Sequence, residues 1–355
     1  MDFPRSISFT VTNACNLRCR MCGQWSDEGY MRGTLRKGSN YSEEARPHPA
    51  LTIADWKRLV DEVAAHGVGG ILLRGGEPFL LPGIVELLDH IAGKGIFTSI
   101  DSNGTRLDAF ADDLVRIGRI HVTVSVDGPE EIHDAVRGVP GSFRALARGI
   151  AAVKEAERRR GTTISKSITF TVSPWSLRGL GAMPDVARAL GIETLCMVPY
   201  YYIPEALGHE YERELRQELR TRAFSWRGFH HETSGVDVTV FREELQAYRA
   251  SLGTIKDFPY LPLSEDEYRL WFEDPIAPVR SAECRNVERL VDVQPAGDAN
   301  FCVDFPDFAI GNVHEATLEE IWNGDRARLF RERRRQKPFA ACHRCGAKYM
   351  SCIEA

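Results

Sequence analysis

Short runs of β-forming residues alternate with amphipathic helical patterns through the first 200 residues of the chain. The predicted strands are Ser6–Val11, Gly70–Leu73, Phe97–Asp101, His121–Val126, Ser167–Val172 and Thr194–Val198. The predicted helices between them are Ile53–His66, Gly83–Lys94, Asp108–Ile117, Ser142–Arg159 and Leu177–Leu190. Six strand–helix units in series predict an α/β fold with a parallel sheet, curled into a partial (β/α)6 TIM-like barrel. In such barrels the active site lies at the carboxyl ends of the strands.

Length, charge and hydropathy limit the cellular compartments and the partners that we expect for this chain. The 355 residues allow one large catalytic domain with an appendage, and the formal net charge of −5 gives no nucleic-acid signature. The amino terminus lacks a signal region, and no apolar run approaches the ~18 residues of a membrane span. We therefore expect a cytoplasmic protein without a membrane or nucleic-acid partner. Two local arginine runs, 158–160 and 326–337, are interpreted as solvated helix ends.

Three cysteines follow the first predicted strand closely, in the order Cys15-Asn-Leu-Arg-Cys19-Arg-Met-Cys22. A four-iron cluster normally takes four cysteine ligands, so three thiolates would leave one iron with an open position. A substrate-activating metal requires such a position. The alternative is a structural zinc site, but those sites are closed by four ligands and favour paired C-x2-C spacing.

This C-x3-C-x2-C motif resembles the signature of the radical S-adenosylmethionine (SAM) superfamily, and other matches follow in order. They are Gly75-Gly76-Glu77-Pro78, Ser102-Asn103-Gly104-Thr105, Ser125-Val126-Asp127-Gly128 and His133-Asp134-x-x-Arg137-Gly138. The resemblance implies a 4Fe-4S cluster on Cys15, Cys19 and Cys22 that binds SAM and cleaves it to a 5′-deoxyadenosyl radical.

The resemblance also implies which residues bind SAM. Gly75, Gly76, Glu77 and Pro78 would hold its amino group. Ser102 and Asn103 would lie on the ribose side, and Ser125 and Arg137 would reach the carboxylate. Met21 stands where the family usually has an aromatic residue near adenine, and it is apolar and polarizable enough for that role.

A second group of cysteines begins at Cys284 and continues with Cys302, Cys342, Cys345 and Cys352. Between them a helix is predicted after Thr317, which forms a capping box with Glu320. The pattern resembles the SPASM/twitch extension found in 2-deoxy-scyllo-inosamine dehydrogenase and sulfatase-maturating enzymes. The resemblance implies one auxiliary 4Fe-4S cluster on Cys284, Cys302, Cys342 and Cys345, with Cys352 spare. A zinc site on the same four residues is the alternative.

Two further residues are candidate catalytic groups. Cys196 lies on the sixth predicted strand, where it is either a core residue or a hydrogen-atom donor to a substrate radical. Asp304 follows Cys302 with Val303 between them, whereas in sulfatase-maturating enzymes a catalytic Asp follows the cysteine directly.

We expect residues 1–202 to form the barrel, 203–280 a connecting and substrate-facing region, and 281–355 the auxiliary-cluster domain. The predicted function is a SAM-dependent oxidation of a small molecule, sugar-like or aminocyclitol-like, assisted by the auxiliary cluster. Expected partners are that substrate and a low-potential electron donor such as flavodoxin or ferredoxin. The alternatives are a peptide or protein maturase, a radical epimerase, and a zinc-binding structural protein.

Overall fold

The computed structural model describes residues 3–26, 29–30, 48–280 and 284–346. Six strands in the first part of the chain match the predicted ones within two residues. They are β1 (Ser6–Thr12), β2 (Gly70–Gly75), β3 (Phe97–Ser102), β4 (Ile120–Ser125), β5 (Ser165–Val172) and β6 (Thr194–Pro199). Each pairs in parallel with the next along the chain, from β1 to β6. The expected α/β fold with a partial barrel is confirmed.

The barrel helices are α1 (Ile53–Ala65), α2 (Ile84–Gly93), α3 (Leu107–Ile117), α4 (Glu130–Arg137), α5 (Ser142–Arg160) and α6 (Met183–Leu190). Helix α1 begins with the capping box of Thr52 and Asp55. The prediction of one helix over Leu177–Leu190 is wrong. A 3-10 turn, Leu177–Gly179, precedes α6 instead, since Pro184 lacks a backbone N–H and favours the first turn of a helix. The short, highly charged α4 was not predicted.

The region 203–280 forms α7 (Glu205–Glu218), α8 (Val238–Ser251), β7 (Lys256–Asp257) and α9 (Glu265–Glu273), with a 3-10 turn at Ser225–Phe229. Strand β7 pairs in parallel with β6 and so extends one edge of the barrel sheet. The carboxylate of Asp307 accepts hydrogen bonds from Phe224 N (2.8 Å) and Ser225 N (2.9 Å), which fastens this region to the carboxy-terminal segment.

The carboxy-terminal segment contains α10 (Asn286–Arg289), β8 (Leu290–Val293), β9 (Asp298–Asn300), β10 (Gly311–Asn312), α11 (Leu318–Asn323) and α12 (Asp325–Gln336). Thr317 and Glu320 form the predicted capping box of α11. Strand β8 pairs in parallel with β1, while β9 and β10 follow antiparallel. In the described part of the chain, one sheet therefore runs through the barrel into the carboxy-terminal α+β segment, in the order β10-β9-β8-β1-β2-β3-β4-β5-β6-β7.

Within the described residues, the structure has no helix that is long and apolar enough to cross a membrane.

Candidate active site and a second cysteine cluster

The three cysteines of the first motif lie in the loop that follows β1. Backbone bonds from Arg18 N to Arg137 O and from Arg20 N to Val136 O, both 2.9 Å, fasten this loop to the end of α4. Trp25 N donates to the Cys22 sulfur at 3.3 Å. Burial raises the pKa of the Cys15 thiol to about 11 and that of Cys22 to about 12. The loop is thus a fixed, largely buried support for three sulfur ligands.

The two glycines after β2 permit a close approach to the cysteine loop. Gly76 N donates to Thr12 O at 2.8 Å. A Cβ atom on Gly76 would lie 2.1 Å from Ala14 O, and one on Gly75 would lie 2.4 Å from Thr12 O. Gly75 also has φ +152°, a conformation that favours glycine. Both glycines are therefore required for packing here, in addition to any contact with SAM.

Glu77 is fully buried beneath the cavity, and its carboxylate accepts three hydrogen bonds from protein groups. The donors are Phe79 N (3.2 Å), Ser102 Oγ (2.9 Å) and Asn103 N (2.8 Å). Burial outweighs these bonds and raises the pKa of Glu77 to about 7. Neither Glu77 nor Pro78 is among the residues that line the cavity described below. In this structure Glu77 positions the segment after β3 that was predicted to bind the ribose.

A polar network joins that segment to the cysteine loop. Asn103 Nδ2 donates to Asn16 Oδ1 at 2.8 Å, and Asn16 Nδ2 donates to Thr105 Oγ1 at 2.8 Å. Thr105 Oγ1 in turn donates to Asn103 Oδ1 at 2.6 Å. The Asn-Gly-Thr sequence, a common turn pattern, therefore fixes the distance between the ends of β1 and β3.

Arg137 connects the first cysteine group to a buried acid. Its Nε donates to Asp127 Oδ2 at 2.6 Å, and its Nη1 donates to the Cys19 sulfur at 3.5 Å. Burial by itself lowers the pKa of Arg137, but the carboxylate of Asp127 and the Cys19 sulfur raise it above its ordinary value. The guanidinium is thus held as a cation beside a sulfur ligand. Asp127 was not predicted as a site residue, although it belongs to the quoted Ser-Val-Asp-Gly motif.

These elements enclose a cavity of about 300 Å³ at the carboxyl ends of the strands. The predicted residues that line it are Cys15, Cys19, Met21, Cys22, Gly75, Gly76, Ser102, Asn103, Ser125 and Arg137. Lining residues that were not predicted are Leu17, Gln24, Trp25, Arg74, Asp101, Thr169 and Thr171. Among the described residues, 203–280 contributes none of the lining, so its predicted substrate-facing role gains no support at this cavity.

The donor set and the shape fit the cofactors that the sequence predicts. Three thiols on one wall would hold a cluster with one open iron, and glycine backbone and hydroxyl groups form the neighbouring walls. An arginine lies beside the sulfurs, where it would offset the negative charge of a thiolate-bound cluster.

Arg74 forms the charged part of the cavity wall beyond the predicted SAM residues. Its Nη2 lies 3.8 Å from Asp304 Oδ1, and the charges of Asp292 and Asp101 also act on it. Asp101, on β3, is open to the cavity, and burial raises its pKa. Asp304 reaches the cavity only through Arg74. The cavity lining itself contains two arginines, Arg74 and Arg137, and one carboxylic acid, Asp101.

Cys196 lies half-buried on β6 and is not part of the cavity lining. Burial raises the pKa of its thiol to about 11. Its sulfur forms a hydrogen bond with the side chain of Thr169, which does line the cavity. Thr169 therefore lies between the Cys196 thiol and the cavity.

Four cysteines surround a second, smaller cavity. Cys284, Cys302, Cys342 and Cys345 come together there, as predicted, with an apolar lining of Tyr211, Val287, Phe305, Phe330, Phe339 and Ala341 and one charged residue, Arg334. Burial raises the pKa of the Cys302 thiol well above its ordinary value, and the charges of the other three cysteines add to this effect. Cys352 lies outside the described residues. Four thiols satisfy a four-iron cluster without an open position.

Comparison with known proteins identifies both parts of the chain. The family model described as the radical SAM superfamily matches residues 9–171, and the model of the SPASM iron–sulfur cluster-binding domain matches residues 284–346. These matches imply iron–sulfur clusters and SAM, so the zinc alternative is not supported at either site.

Individual relatives extend the comparison. Fe-coproporphyrin III synthase from Methanosarcina barkeri is 26% identical over 95% of this chain and 78% of its own length. The sporulation killing factor maturation protein SkfB from Bacillus subtilis is 32% identical, over 43% of this chain and 33% of its own length. Among solved structures, SuiB from Streptococcus suis, bound to its precursor peptide SuiA, aligns with a TM-score of 0.65 at 16% identity, covering 99% of this chain and 71% of that one. The likeness to SuiB shows the fold.

Proposed function

The chain is a radical SAM enzyme with a carboxy-terminal SPASM domain, and we propose that it oxidises a small polar molecule at the cavity of Cys15, Cys19 and Cys22. The observation that carries this proposal is the contrast between its two cysteine-lined cavities. The first is polar and has three thiols, whereas the second is apolar and has four. The first is also about ten times larger, about 300 Å³ against about 30 Å³, so of the two it is the one suited to reactants.

When bound, the cluster and SAM supply a 5′-deoxyadenosyl radical, which removes a hydrogen atom from an unactivated C–H bond. The protein holds the reacting groups in place and excludes water. Arg137 keeps a positive charge beside Cys19, and Glu77 fixes Ser102 and Asn103 against the cysteine loop. An oxidation also requires an acceptor for a second electron, and Cys284, Cys302, Cys342 and Cys345 would hold one.

The walls beyond the SAM residues favour a substrate with hydroxyl or amine groups. Thr169 and Thr171 offer hydroxyls, and Asp101 offers a carboxyl group. Asp101, Asp292 and Asp304 already surround the Arg74 cation, so it gains little from a polycarboxylate, whereas Asp101 lines the cavity as a partner for an amine. A sugar-like or aminocyclitol-like molecule fits this lining. Neither of the two curated relatives named above is a sugar oxidoreductase, so the proposal rests on the cavity itself.

A peptide substrate is the second candidate. SkfB is named as a maturation protein, and SuiB was solved with a precursor peptide. One relative that spans nearly the whole chain is instead named as a synthase of Fe-coproporphyrin III, a small molecule. Relatives of both kinds match over more than 90% of this chain, so the cavity lining, not coverage, is our reason to propose the small molecule first and the peptide maturase second. An epimerase that uses Cys196 as hydrogen donor is a third alternative.

The experiment measures 5′-deoxyadenosine formation by the anaerobically purified, reduced enzyme with three sets of candidates: aminocyclitols and amino sugars, porphyrins with propionate groups, and peptides. We expect stimulation by a member of the first set. The Asp101→Asn variant should raise KM for that compound while SAM cleavage without substrate is unchanged. Glu243→Gln, at an exposed position on α8, is the matched control. Stimulation by a porphyrin or a peptide, with no response to the first set, would refute the proposal.

A further inference from the structure

Helix α12 is strongly basic in a chain that is acidic overall. Its twelve residues contain six arginines and two acids, while the whole chain has a net charge of −5. The expectation that this run is a solvated helix end is only partly right. Arg331, Arg333 and Arg334 are buried, whereas Arg328 and Arg335 are exposed. Some arginines of α12 therefore point into the protein, and others point to the surface.

The inward arginines have structural partners. Arg331 donates to Val287 O and Trp322 O, both at 2.7 Å, and its guanidinium lies 4.1 Å from the ring centre of Trp322. Arg333 donates to Lys337 O at 2.6 Å and to Glu218 at 3.2 Å. These contacts hold α12 against α7, α10 and α11. The outward arginines form surface ion pairs, Arg335 with Glu288 at 3.2 Å and Arg328 with Asp325 of the same helix.

Two surface depressions lie along the outward side of α12. One, of about 340 Å³, is lined by Cys284, Arg285, Val287, Glu288, Arg334 and Arg335. The other, of about 610 Å³, is lined by Asn323, Arg328, Arg331, Glu332 and Arg335. Together they contain five arginines and two glutamates; Arg331 and Arg334 are buried, while Arg285, Arg328 and Arg335 are exposed. With Asp325, the partner of Arg328, the arginines still outnumber the acids five to three, so this surface, here called the arginine face, is positive. Leu329 is 45% exposed on the same helix.

The arginine face adjoins the second cysteine cavity directly. Cys284, Val287 and Arg334 line both that cavity and the first depression. A partner seated on the face would therefore lie directly over Cys284, one of the four cysteines. Short separation is the main requirement for electron transfer between proteins, and opposite charge speeds the encounter.

We propose that the arginine face is the docking surface for a small acidic electron-transfer protein of the flavodoxin or ferredoxin class. This inference rests on the proposed redox role of the second cavity. In the step, the partner loses one electron and the cluster on the four cysteines gains it. From there the electron would pass to the cluster that Cys15, Cys19 and Cys22 would hold, where cleavage of each SAM consumes one electron.

The test uses the complete enzyme without substrate, with reduced flavodoxin as the electron source, and measures 5′-deoxyadenosine. The double variant Arg328→Glu with Arg335→Glu should lower the flavodoxin-driven rate about tenfold or more at low salt, because opposite-charge steering raises association rates by about 10–10³-fold. Raising the salt from about 0.05 to about 0.3 M should lower the wild-type rate several-fold, since screening shortens the reach of surface charges. The matched control is Arg158→Glu with Arg159→Glu, in the other arginine run, where both side chains are exposed on α5.

A second electron source separates docking from function. With excess dithionite, the Arg328/Arg335 variant should cleave SAM within about twofold of the wild-type rate, because dithionite needs no docking surface. If the dithionite-driven rate falls as far as the flavodoxin-driven one, the face supports the clusters themselves and the docking proposal is wrong. Equal loss in the control pair, or no loss in the Arg328/Arg335 pair, also overturns it. Absence of SAM cleavage with dithionite in wild-type protein would instead contradict the proposed function.

Discussion

The two cysteine-lined cavities differ in what surrounds the sulfur atoms. In the first, three cysteines share the walls with Arg74, Asp101, Ser102 and Arg137, and the space is about 300 Å³. In the second, four cysteines are packed among tyrosine, phenylalanine and aliphatic side chains. The comparison teaches that ligand number and wall polarity change together. The cavity with three cysteines has space and polar groups for reactants. The cavity with four cysteines is smaller and mostly apolar, which suits a cluster that only transfers electrons.

The largest expected effect comes from removing each ligand set in turn. Wild-type enzyme should contain about eight irons per chain, and Cys15, Cys19 and Cys22 changed together to Ala should leave about four, with no SAM cleavage. Changing Cys342 and Cys345 to Ala should also remove about four irons. That variant should still cleave SAM with dithionite but form no oxidised product. Iron analysis and chromatography of deoxyadenosine provide the measurements. If both variants lost SAM cleavage equally, the division of labour between the cavities would be wrong.

The buried ion pair of Arg137 and Asp127 at the first cavity should contribute more to the free energy of unfolding than an exposed ion pair does. Arg137→Ala leaves Asp127 charged and buried, so we expect the free energy of unfolding to fall by about 3–5 kcal/mol. It should also make the cluster on Cys19 harder to reduce, because a neighbouring cation is lost. Arg116→Ala breaks the exposed pair with Asp89 and should cost about 1 kcal/mol or less. Denaturant unfolding and a redox titration followed by EPR test this difference.

Glu77, which lies next to the first cavity, should make the free energy of unfolding depend on pH. Burial raises its pKa to about 7, above its ordinary value of 4.5, so between these values the folded state binds more protons than the unfolded state. Its contribution to stability is therefore present at low pH and is lost as pH rises through about 7. Tm measured from pH 5 to 8 should fall more steeply in wild type than in Glu77→Gln. A steeper fall in the variant would contradict the assignment.

The smallest effect is expected at Cys196, which lies outside both cavities. Cys196→Ala should lower the free energy of unfolding by about 1 kcal/mol through the cavity it leaves. Under oxidation, SAM is consumed stoichiometrically and deuterium from D2O does not enter a carbon of the product. Mass spectrometry of the product checks this. Solvent deuterium at a carbon centre that disappears in Cys196→Ala would show an epimerase instead.

The amino-acid sequence by itself determined the chain of strand–helix units and the two groups of cysteines that line the cavities. Cys15, Cys19 and Cys22 lie within eight residues, so their spacing alone brings them together. The glycines at 75 and 76 were also predicted as site residues, although their role in packing against Thr12 and Ala14 was not. Periodicity placed β1 to β6 correctly, because buried parallel strands have a strong apolar pattern.

Only the tertiary structure decided which side chains from separate strands share the first cavity. Side chains alternate between the two faces of a strand, so the register of β2, β3 and β5 brings Arg74, Asp101 and Thr169 to the same wall. Glu77 lies beyond β2, at the start of the 3-10 turn Pro78–Leu80, and its carboxylate accepts hydrogen bonds from Ser102 and Asn103 instead of lining that wall. The pairing of β8 with β1, which joins the two halves of the protein in one sheet, links residues about 280 apart in sequence. No local pattern encodes a contact of that length.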